Sequence, residues 1–502
     1  MIVKFGSWNR VKPPHELPVM QNGVIQCSVL QNYVVRDGRI RKIGGTQQYN
    51  ATALDYPITW IKRSYHKLGD GSFVKRTLCF SGGTIYSGDD ATGEFTSRQG
   101  GFKLEAIPLS VTMQVAGNSI LFFFTGYDTP YKYDGNGSYI FEKTSLSSSY
   151  QQGLVHLQRM WYVTRNSSTL DYSETLKPET IEDQITFGSD KDSFIRRIVL
   201  GANETMYVFK NNSIWQLYGR TSSTFQTRII TDKYGLASKR AIYPVGSGFI
   251  FLNEFDKELY FFGGSEASIR PLTEDDIKLR EIIDWTKVDN VCMVVHDGLF
   301  RFAFQYNSAD QIYNNHELVY PLNEPDYRGL PKWSLIKGTR VLCYSVWNQQ
   351  GDKNELVTGR SDTGKMMYHN RTNDFDGEAV ETIARTGEIV ASEDKAVRFK
   401  GFWVKAHPGS HSVNALFRYY LNGRYSERGE HSLSMKGETR QVGTIHIQKS
   451  YLFNDRIVPF VKYSRGNSIS FEVYDFNTGT EMELYSVAFQ AYPRFEIRNQ
   501  HV

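Results

Sequence analysis

The sequence predicts an all-β protein, in which a β-propeller of about six blades is followed by an antiparallel β-sandwich. Three observations support this fold class. A strand-turn-strand pattern occurs twice in the middle of the chain. The composition is rich in Tyr, Phe and Gly (31, 31 and 42 of 502 residues), and few stretches have the periodicity of a helix. Aromatic side chains favour pleated, half-buried surfaces, and glycines favour tight turns.

The repeated pattern occupies residues 198–264. Its first half reads IVLGANETMYVFKNNSIWQLYG, and its second half, after a polar link, reads IYPVGSGFIFLNEFDKELYFFGG. Asn211-Asn212 in the first half and Asp256-Lys257 in the second separate apolar runs, as in β-hairpins. A unit of roughly 40 residues is typical of propeller blades. The pair therefore predicts two consecutive blades.

The remaining elements are assigned in chain order around this pair. Residues 1–50 form an N-terminal segment whose strands join or close the propeller, and residues 51–372 form the propeller itself. Its other predicted blades cover residues 57–95, 104–141, 156–187 and a sixth beginning at 290, with a last strand pair at 354–371 that closes the ring. Closure removes exposed sheet edges.

The C-terminal part departs from the blade rhythm. Residues 373–502 contain alternating strands and a hairpin signal at Asn422-Gly423, which predict a separate antiparallel β-sandwich. Helical periodicity is plausible only over residues 273–285.

Composition excludes several functional classes. The net charge is +4, from 58 basic and 54 acidic residues, which is too balanced for a dedicated nucleic-acid binder but allows weak contact with DNA through one surface. The four cysteines lack metal-ligand spacing and are interpreted as reduced, buried thiols, although a disulfide pair stays open. We expect no secretory signal and no membrane span, since the N-terminus and the apolar runs match neither.

No catalytic constellation emerges from the motifs. The sequence contains no HExxH, GxSxG or GxxxxGK[ST] pattern. The acidic cluster of Glu254, Asp256 and Glu258 is interpreted as a solvent-facing turn rather than a glycosidase pair, and Asp89, Asp90 and Glu94 as a hairpin turn rather than a calcium loop. We therefore predict no catalytic, cofactor-binding or metal-binding residue, no cofactor and no enzymatic activity.

Basic residues cluster at two kinds of position, a short hairpin and the starts of consecutive blades. They are the candidates for contact with DNA in a channel or with an acidic partner: Arg36, Arg39, Arg41, Lys42, Arg196, Arg197, Lys239 and Arg240. The alternative, which we favour, is a solvated strand face with salt bridges to the many acids.

Two stretches resemble a known family. QNYVVRDGRIRKIGGTQQYN (31–50) is similar to a phrase near the start of phage virion proteins, and the blade pair with its Gly-Leu-x-Ser link (235–238) is similar to the middle of the same proteins. These are the tail hub or nozzle proteins of short-tailed bacteriophages, also described as packaged-DNA stabilisation proteins. In the spacing of its strands and turns, the chain resembles these proteins over residues 24–370.

The resemblance implies a structural role in the virion tail. Such subunits are β-propellers that form a homo-oligomeric ring, expected to be a hexamer, below the portal and its adaptor. The ring extends the DNA channel, retains packaged DNA and takes part in genome ejection. Implied partners are the portal adaptor, a tail fibre or needle/plug protein, and packaged double-stranded DNA through non-specific contact. The chain would be made in the host bacterial cytoplasm, and the resemblance carries over no catalytic residues.

Two other functional classes were weighed. A tail-associated propeller that binds or cleaves host surface glycan would place a carboxylate pair on the propeller axis. A propeller adaptor for peptide partners would show recurring WD or kelch signatures, which these degenerate blades lack.

Overall fold

The computed structural model describes residues 2–17, 23–36, 39–188, 193–273, 276–308, 313–326, 328–349, 351–391, 397–407, 414–434, 439–442, 445–448, 452–453, 458–459, 465–476 and 482–493.

Five strands belong to the N-terminal segment. The N-terminal strands are β1 (Ile2–Trp8), β2 (Val24–Gln31), β3 (Tyr33–Arg36), β4 (Arg39–Lys42) and β5 (Thr46–Gln48), with a 3-10 turn at Pro14–Glu16.

Small four-stranded sheets follow in chain order. The first three contain β6 (Ile58–Lys67), β7 (Phe73–Ser81), β8 (Thr84–Gly88) and β9 (Phe95–Gln99); β10 (Leu109–Val115), β11 (Asn118–Phe124), β12 (Tyr131–Tyr133) and β13 (Glu142–Lys143); and β14 (Tyr150–His156), β15 (Arg159–Thr164), β16 (Thr169–Glu174) and β17 (Lys177–Thr186). The next two contain β18 (Ile195–Leu200), β19 (Met206–Lys210), β20 (Ile214–Tyr218) and β21 (Gln226–Thr231); and β22 (Ile242–Val245), β23 (Gly248–Leu252), β24 (Leu259–Phe262) and β25 (Arg270–Pro271).

Two further units complete the ring. The first contains β26 (Cys292–His296), β27 (Leu299–Phe304), β28 (His316–Pro321) and β29 (Ser334–Lys337), and the closing sheet contains β30 (Val341–Trp347), β31 (Glu355–Arg360), β32 (Met366–His369), β33 (Asp374–Phe375) and β34 (Glu378–Ala379). In the closing sheet β5 pairs with β32, with Gln48 opposite Met367. The N-terminal segment thus supplies one strand of the last blade.

The β-propeller prediction is confirmed. Six separate small sheets, the five four-stranded sheets that begin with β6 and the closing sheet, stand in a ring, in agreement with the predicted number, and β30 of the closing sheet packs beside β6 of the first. The β26–β29 unit fills the place between the fifth and closing sheets and is continuous with the C-terminal sheets through the pairing of Gln31 with Leu335. The predicted sixth blade is therefore divided, because the backbone turns at Gly338 (φ 105°) and Arg340 (φ 52°) between β29 and β30.

Aromatic side chains hold neighbouring blades together. Trp60 and Phe80 of the first sheet meet Phe123 of the second at ring-centroid distances of 5.1 and 5.7 Å. Each ring contact of this kind adds roughly 0.5–1.5 kcal/mol beyond area burial. Inner strands such as β19 are fully buried, whereas the outer strand β21 is mostly exposed. Outer strands are polar because they face solvent. Strand β21 lies inside the polar link that separates the two halves of the sequence repeat.

Helical structure is short within the described residues. The periodic stretch at 273–285 contains one helical turn, α1 (Leu279–Ile282), and a 3-10 segment follows at Trp285–Asn290. Other 3-10 turns lie at Ala202–Glu204 and Glu266–Ser268.

The C-terminal strands form two facing sheets. They are β35 (Thr382–Thr386), β36 (Ile389–Val390), β37 (Val397–His407), β38 (Asn414–Leu421), β39 (Arg424–Ser434), β40 (Thr439–Val442), β41 (Ile445–Gln448), β42 (Leu452–Phe453), β43 (Val458–Pro459), β44 (Arg465–Gly466), β45 (Ser468–Asp475) and β46 (Glu483–Pro493). One sheet has β37 and β46 at its centre, and the other has the order β39-β38-β45-β35. Strands β40 and β41 pair only with each other among the described residues.

Aromatic contacts between the sheets identify a sandwich core, as predicted. Phe402 and Phe489 of the first sheet contact Phe471 of the second at ring-centroid distances of 5.9 and 5.5 Å. The sheets are joined into one curled structure by β1, which pairs with β46 on one side and with β2 on the other.

Four strands of the N-terminal segment therefore belong to the C-terminal sheets. β2 extends the second sheet beside β35, with Leu30 opposite Ala384, and β4 pairs with β46, with Ile40 opposite Leu484. Since β5 completes a blade, residues 1–50 connect the propeller and the sandwich by hydrogen bonds as well as covalently.

Candidate functional site

The β3–β4 hairpin lies where the propeller meets the sandwich. It forms one wall of a cleft of about 440 Å³, which we call the junction cleft. The charged residues of this cleft are Arg36, Arg41, Lys42, Asp297, Arg301 and Glu483. The structure thus brings three of the predicted basic residues together at one surface.

Strand alternation divides the hairpin residues into two sets. Ile40 and Lys42 point inward along β4, whereas Arg39 and Arg41 point outward. Lys42 Nζ lies 2.9 Å from Asp475 Oδ2, and both side chains are almost fully buried, at 2% and 3% exposure. Lys42 is therefore a structural partner of strand β45 and is not available to a ligand.

The outward-facing residues have different partners. Arg39 Nη1 lies 2.9 Å from Glu483 Oε1, and its guanidinium lies 4.3 Å from the Tyr485 ring. Arg36 Nη1 lies 3.3 Å from Asp297 Oδ2, and both side chains are largely exposed. Arg41 is exposed and forms no ion pair within the described residues. The salt-bridge interpretation fits Arg36, Arg39 and Lys42, and Arg41 is left as the cation that faces the cleft.

The blade-opening residues form a second basic group, which we call the axial cluster: Arg196, Arg197, Lys239 and Arg240. Lys239 Nζ donates to the Ile107 carbonyl at 2.6 Å, immediately before β10. Arg240 donates to the carbonyl of Thr59 on β6 at 3.3 Å and to that of Asn290, before β26, at 2.9 Å. Because β22 begins two residues after Arg240, the side chains of Lys239 and Arg240 join the start of the fifth blade to the first and second blades.

Positive charge accumulates in the axial cluster. Burial, followed by the charges of Arg240 and Arg197, lowers the pKa of Lys239 to about 7. Burial and the charge of Arg240 lower the pKa of Arg197 to about 10. The Nε atoms of Arg196, Arg197 and Arg240 are buried and have no hydrogen-bond partner in the described part of the chain. Contact of these four residues with DNA or with an acidic partner stays a prediction.

The solvent-facing interpretation of the acidic cluster is wrong for Glu258. Its carboxylate is 6% exposed and accepts hydrogen bonds from Thr273 Oγ1 at 2.6 Å and the Leu279 amide at 3.0 Å, which fixes the start of α1. Burial raises the pKa of Glu258 to about 7. Asp256 accepts from Asn253 Nδ2 and the Glu258 amide, as a turn residue does. Sequence spacing gave no signal of this burial.

The other acidic cluster is also structural. Asp89 accepts from the Ala91 amide at 2.8 Å, as expected for a hairpin turn. Asp90 instead contacts Arg63 at 2.6 Å, and Arg63 Nε reaches Asp352 at 3.2 Å, so one guanidinium joins two blades. Within the described ranges no three His, Cys, Asp or Glu side chains are placed to hold a metal ion.

The four cysteines are free thiols. Cys27, Cys79, Cys292 and Cys343 are all buried, and none forms a disulfide. Burial raises the pKa of Cys27 and of Cys343 to about 12. The interpretation as buried thiols is confirmed, and such thiols are unreactive at neutral pH.

A third surface lies between the first blade, the β26–β29 unit and the closing sheet. It is a cleft of about 240 Å³, here called the aromatic cleft, whose lining includes the exposed side chains of Tyr56, Leu104 and Tyr313. Asn314 also lines it, is 2% exposed, and its Oδ1 has no hydrogen-bond partner in the part of the chain that the structure describes. Aromatic rings combined with a few polar groups are typical of small-molecule sites.

Comparison with known proteins gives fold-level likeness only. No protein-family model matches the chain. No curated protein matches it. Among solved structures, the extracellular domains of two proteins described as hybrid two-component systems of B. thetaiotaomicron, BT4673 and BT3049, align with TM-scores of 0.42 and 0.42 at 11% and 9% identity. The alignments cover 75% and 78% of this chain and 45% and 52% of those domains, so the chain spans about half their length.

Among the described residues, no helix is both long enough and apolar enough to cross a bilayer.

Proposed function

We propose that this protein is a structural subunit of a phage tail hub or nozzle. It forms a homo-oligomeric ring, a hexamer, below the portal and its adaptor, extends the DNA channel, retains packaged DNA and takes part in ejection. The proposal includes no catalytic activity. Its location is the virion tail, and its further partner is a tail fibre or a needle/plug protein.

One observation carries the proposal. The phrase at 31–50 that resembles the family contains strands of both parts of the molecule: β3 and β4 lie in the sandwich sheets, and β5 completes the last blade. A segment that joins both parts suits a subunit that must not come apart while DNA passes under pressure. Resemblance at such a segment has more weight than resemblance at a surface loop, because its residues are constrained by many neighbours.

The surface chemistry is compatible with assembly and with DNA. Large apolar side chains are exposed on several elements, among them Ile2, Phe73, Phe255 and Phe476, and such residues are used in subunit contacts. Arg41 at the junction cleft is available for a phosphate, as a positioning contact without sequence readout. Retention of DNA would then be mainly steric.

The test is quantitative peptide mass spectrometry of purified virions, scaled to the portal protein. We expect the chain at a small fixed stoichiometry, a simple fraction of the portal ring. Absence of its peptides from virions would refute the structural proposal. As a control, a known non-structural protein of the same phage should be absent from the same preparation.

A second candidate function is binding of host surface glycan, and the aromatic cleft favours it. Tyr56 and Tyr313, which line the cleft, are 52% and 39% exposed, and exposed aromatic rings can pack on the apolar face of a sugar. If this function holds, Tyr56→Ala abolishes binding of the isolated chain to host envelope glycans, whereas Phe73→Ala, an exposed aromatic residue outside the cleft, leaves it unchanged. Equal binding by both variants, or none by the parent chain, would exclude it.

A further inference from the structure

We propose that the axial cluster is a binding site for a phosphate-type oxyanion, held between the start of β18 and the residues before β22. The binding groups are Arg197, Arg240 and Lys239, with Arg196 at the edge. This inference does not depend on the proposed tail function. The shared ligand chemistry is the phosphate group, either as a free ion or as part of a nucleic-acid backbone.

The first argument is uncompensated charge. Two other buried cations of this chain contact carboxylates directly: Lys42 lies 2.9 Å from Asp475, and Arg301 lies 3.1 Å from Glu317. No residue of the axial cluster forms an ion pair within the described residues, although the charge of Asp289 acts on Lys239 and that of Arg196 acts on Glu254. Unpaired charges removed from water are expensive. A protein that keeps such a group gains from an anion that neutralises it.

The second argument is the set of free donors. The Nε atoms of Arg196, Arg197 and Arg240 have no partner among the described residues, although each is shielded from bulk solvent. Arg240 uses Nη1 and Nη2 on the carbonyls of Thr59 and Asn290, and Lys239 uses Nζ on that of Ile107, so both side chains are fixed in position. Fixed guanidinium donors lose little entropy when they bind an oxyanion.

The third argument is access. All four residues are partly exposed, so solvent reaches part of the cluster. Phosphate suits it better than a singly charged carboxylate, because four oxygens and up to two negative charges match several cations, two on β18 and two in the link before β22. Guanidinium groups recognise phosphate through paired N–H donors.

The test measures binding of inorganic phosphate to the full chain by isothermal titration calorimetry, at constant ionic strength set with chloride. We expect saturable binding that is weakened at least tenfold by Lys239→Met and by Arg197→Gln. The matched control is Lys233→Met, on the same blade link, whose exposed side chain pairs with Glu266 and should not change binding. Two variants at separate positions keep the test valid if one of them folds poorly.

Proton uptake gives a second readout that a purely structural lysine would not produce. The groups facing Lys239 are Arg240, Arg197, Arg165 and Asp289, and its pKa of about 7 rises when an anion binds. Titrations at pH 7.5 in buffers of different ionisation enthalpy should therefore reveal more proton uptake in the parent chain than in Lys239→Met, by a fraction of a proton, since the proton that the phosphate itself gives up on binding is common to both. Phosphate that binds no better than chloride, or equal binding by all variants, would overturn the proposal.

The source of the phosphate is distinguished by competition. A short DNA duplex that displaces inorganic phosphate identifies a backbone phosphate as the ligand, and a duplex that does not compete identifies a free ion.

Discussion

Lys42 shows how one side chain can decide whether two parts of the molecule hold together. It belongs to the N-terminal hairpin, and its ammonium group meets Asp475 of β45 at 2.9 Å with both side chains nearly fully buried. Removal of one partner leaves an uncompensated buried charge, which is destabilising by about 3–5 kcal/mol. We expect Lys42→Met to lower the free energy of unfolding by about that amount, as measured by chemical denaturation.

The double variant Lys42→Met/Asp475→Leu separates charge from packing. Because it removes both charges, it should recover much of the stability lost in the single variant. The exposed pair of Lys233 and Glu266 is the control, and Lys233→Met should leave stability unchanged. A double variant no more stable than Lys42→Met would show that the lysine stem, not the ion pair, matters.

Lys239 determines a pH dependence of stability. Burial and the neighbouring arginines lower its pKa from 10.5 to about 7 in the folded chain. Between these values the unfolded chain binds one more proton at this site than the folded chain, so stability rises with pH in that window. We expect the parent chain to gain stability from pH 7 to 10 in phosphate-free buffer, and Lys239→Met to gain less, as measured by urea denaturation at each pH. Equal slopes would show that Lys239 does not titrate in this window.

At the scale of elements, closure of the ring depends on a three-residue strand. Gly45 precedes β5, and a Cβ atom there would lie 1.9 Å from the Asp374 carbonyl oxygen, a backbone atom that side-chain motion cannot move away. The Gly45 amide also donates to Thr372 at 2.7 Å. Gly45→Ala should therefore displace β5 from β32.

The expected effect of Gly45→Ala is a loss of roughly 1–3 kcal/mol of stability, as for other overpacked sites. Hydrogen exchange should increase in β32, which pairs with β5, more than in β19 of the fourth blade. Gly137→Ala is the matched control, since a Cβ at that exposed turn meets nothing within 4 Å. Unchanged exchange in β32 would show that β5 is dispensable for closure.

The sequence predicted those elements whose signal is local. Hairpins with apolar strands and Asn or Asp turns identified the blades, because such strands are buried on both faces. The outer strand β21 was assigned to a polar link because its residues face solvent and carry no apolar pattern. The destination of β1–β4 in the C-terminal sheets could not be predicted, because pairings such as Ile40 with Leu484 join residues more than 400 positions apart.

The same limit applies to the candidate site. Arg196, Arg197, Lys239 and Arg240 were selected because these basic pairs open consecutive blades. The contacts of Lys239 with Ile107 and of Arg240 with Thr59 depend on ring closure, which no local pattern encodes. Alternation along β4 could have separated the buried Lys42 from the outward Arg41, since Ile40 shares a face with Lys42.

At the scale of the whole molecule, the N-terminal segment couples the propeller to the sandwich. It gives β5 to one and β1–β4 to the other, and β2 also pairs with β29 of the ring. Two bodies that share a segment lose their partners together when either unfolds, so their unfolding should be cooperative. We expect one calorimetric transition for the full chain, with equal calorimetric and van't Hoff enthalpies.

The full chain is to be compared with the isolated fragment 373–502. Without β1, β2 and β4 it lacks the strands beside β35 and β46, and its β46 edge would be exposed to solvent. We expect this fragment to lack a cooperative transition, whereas a fusion of residues 2–45 to it through a flexible linker should restore one. Two separate transitions in the full chain, with the fragment melting at the temperature of one of them, would contradict the coupling and make the sandwich an independent domain.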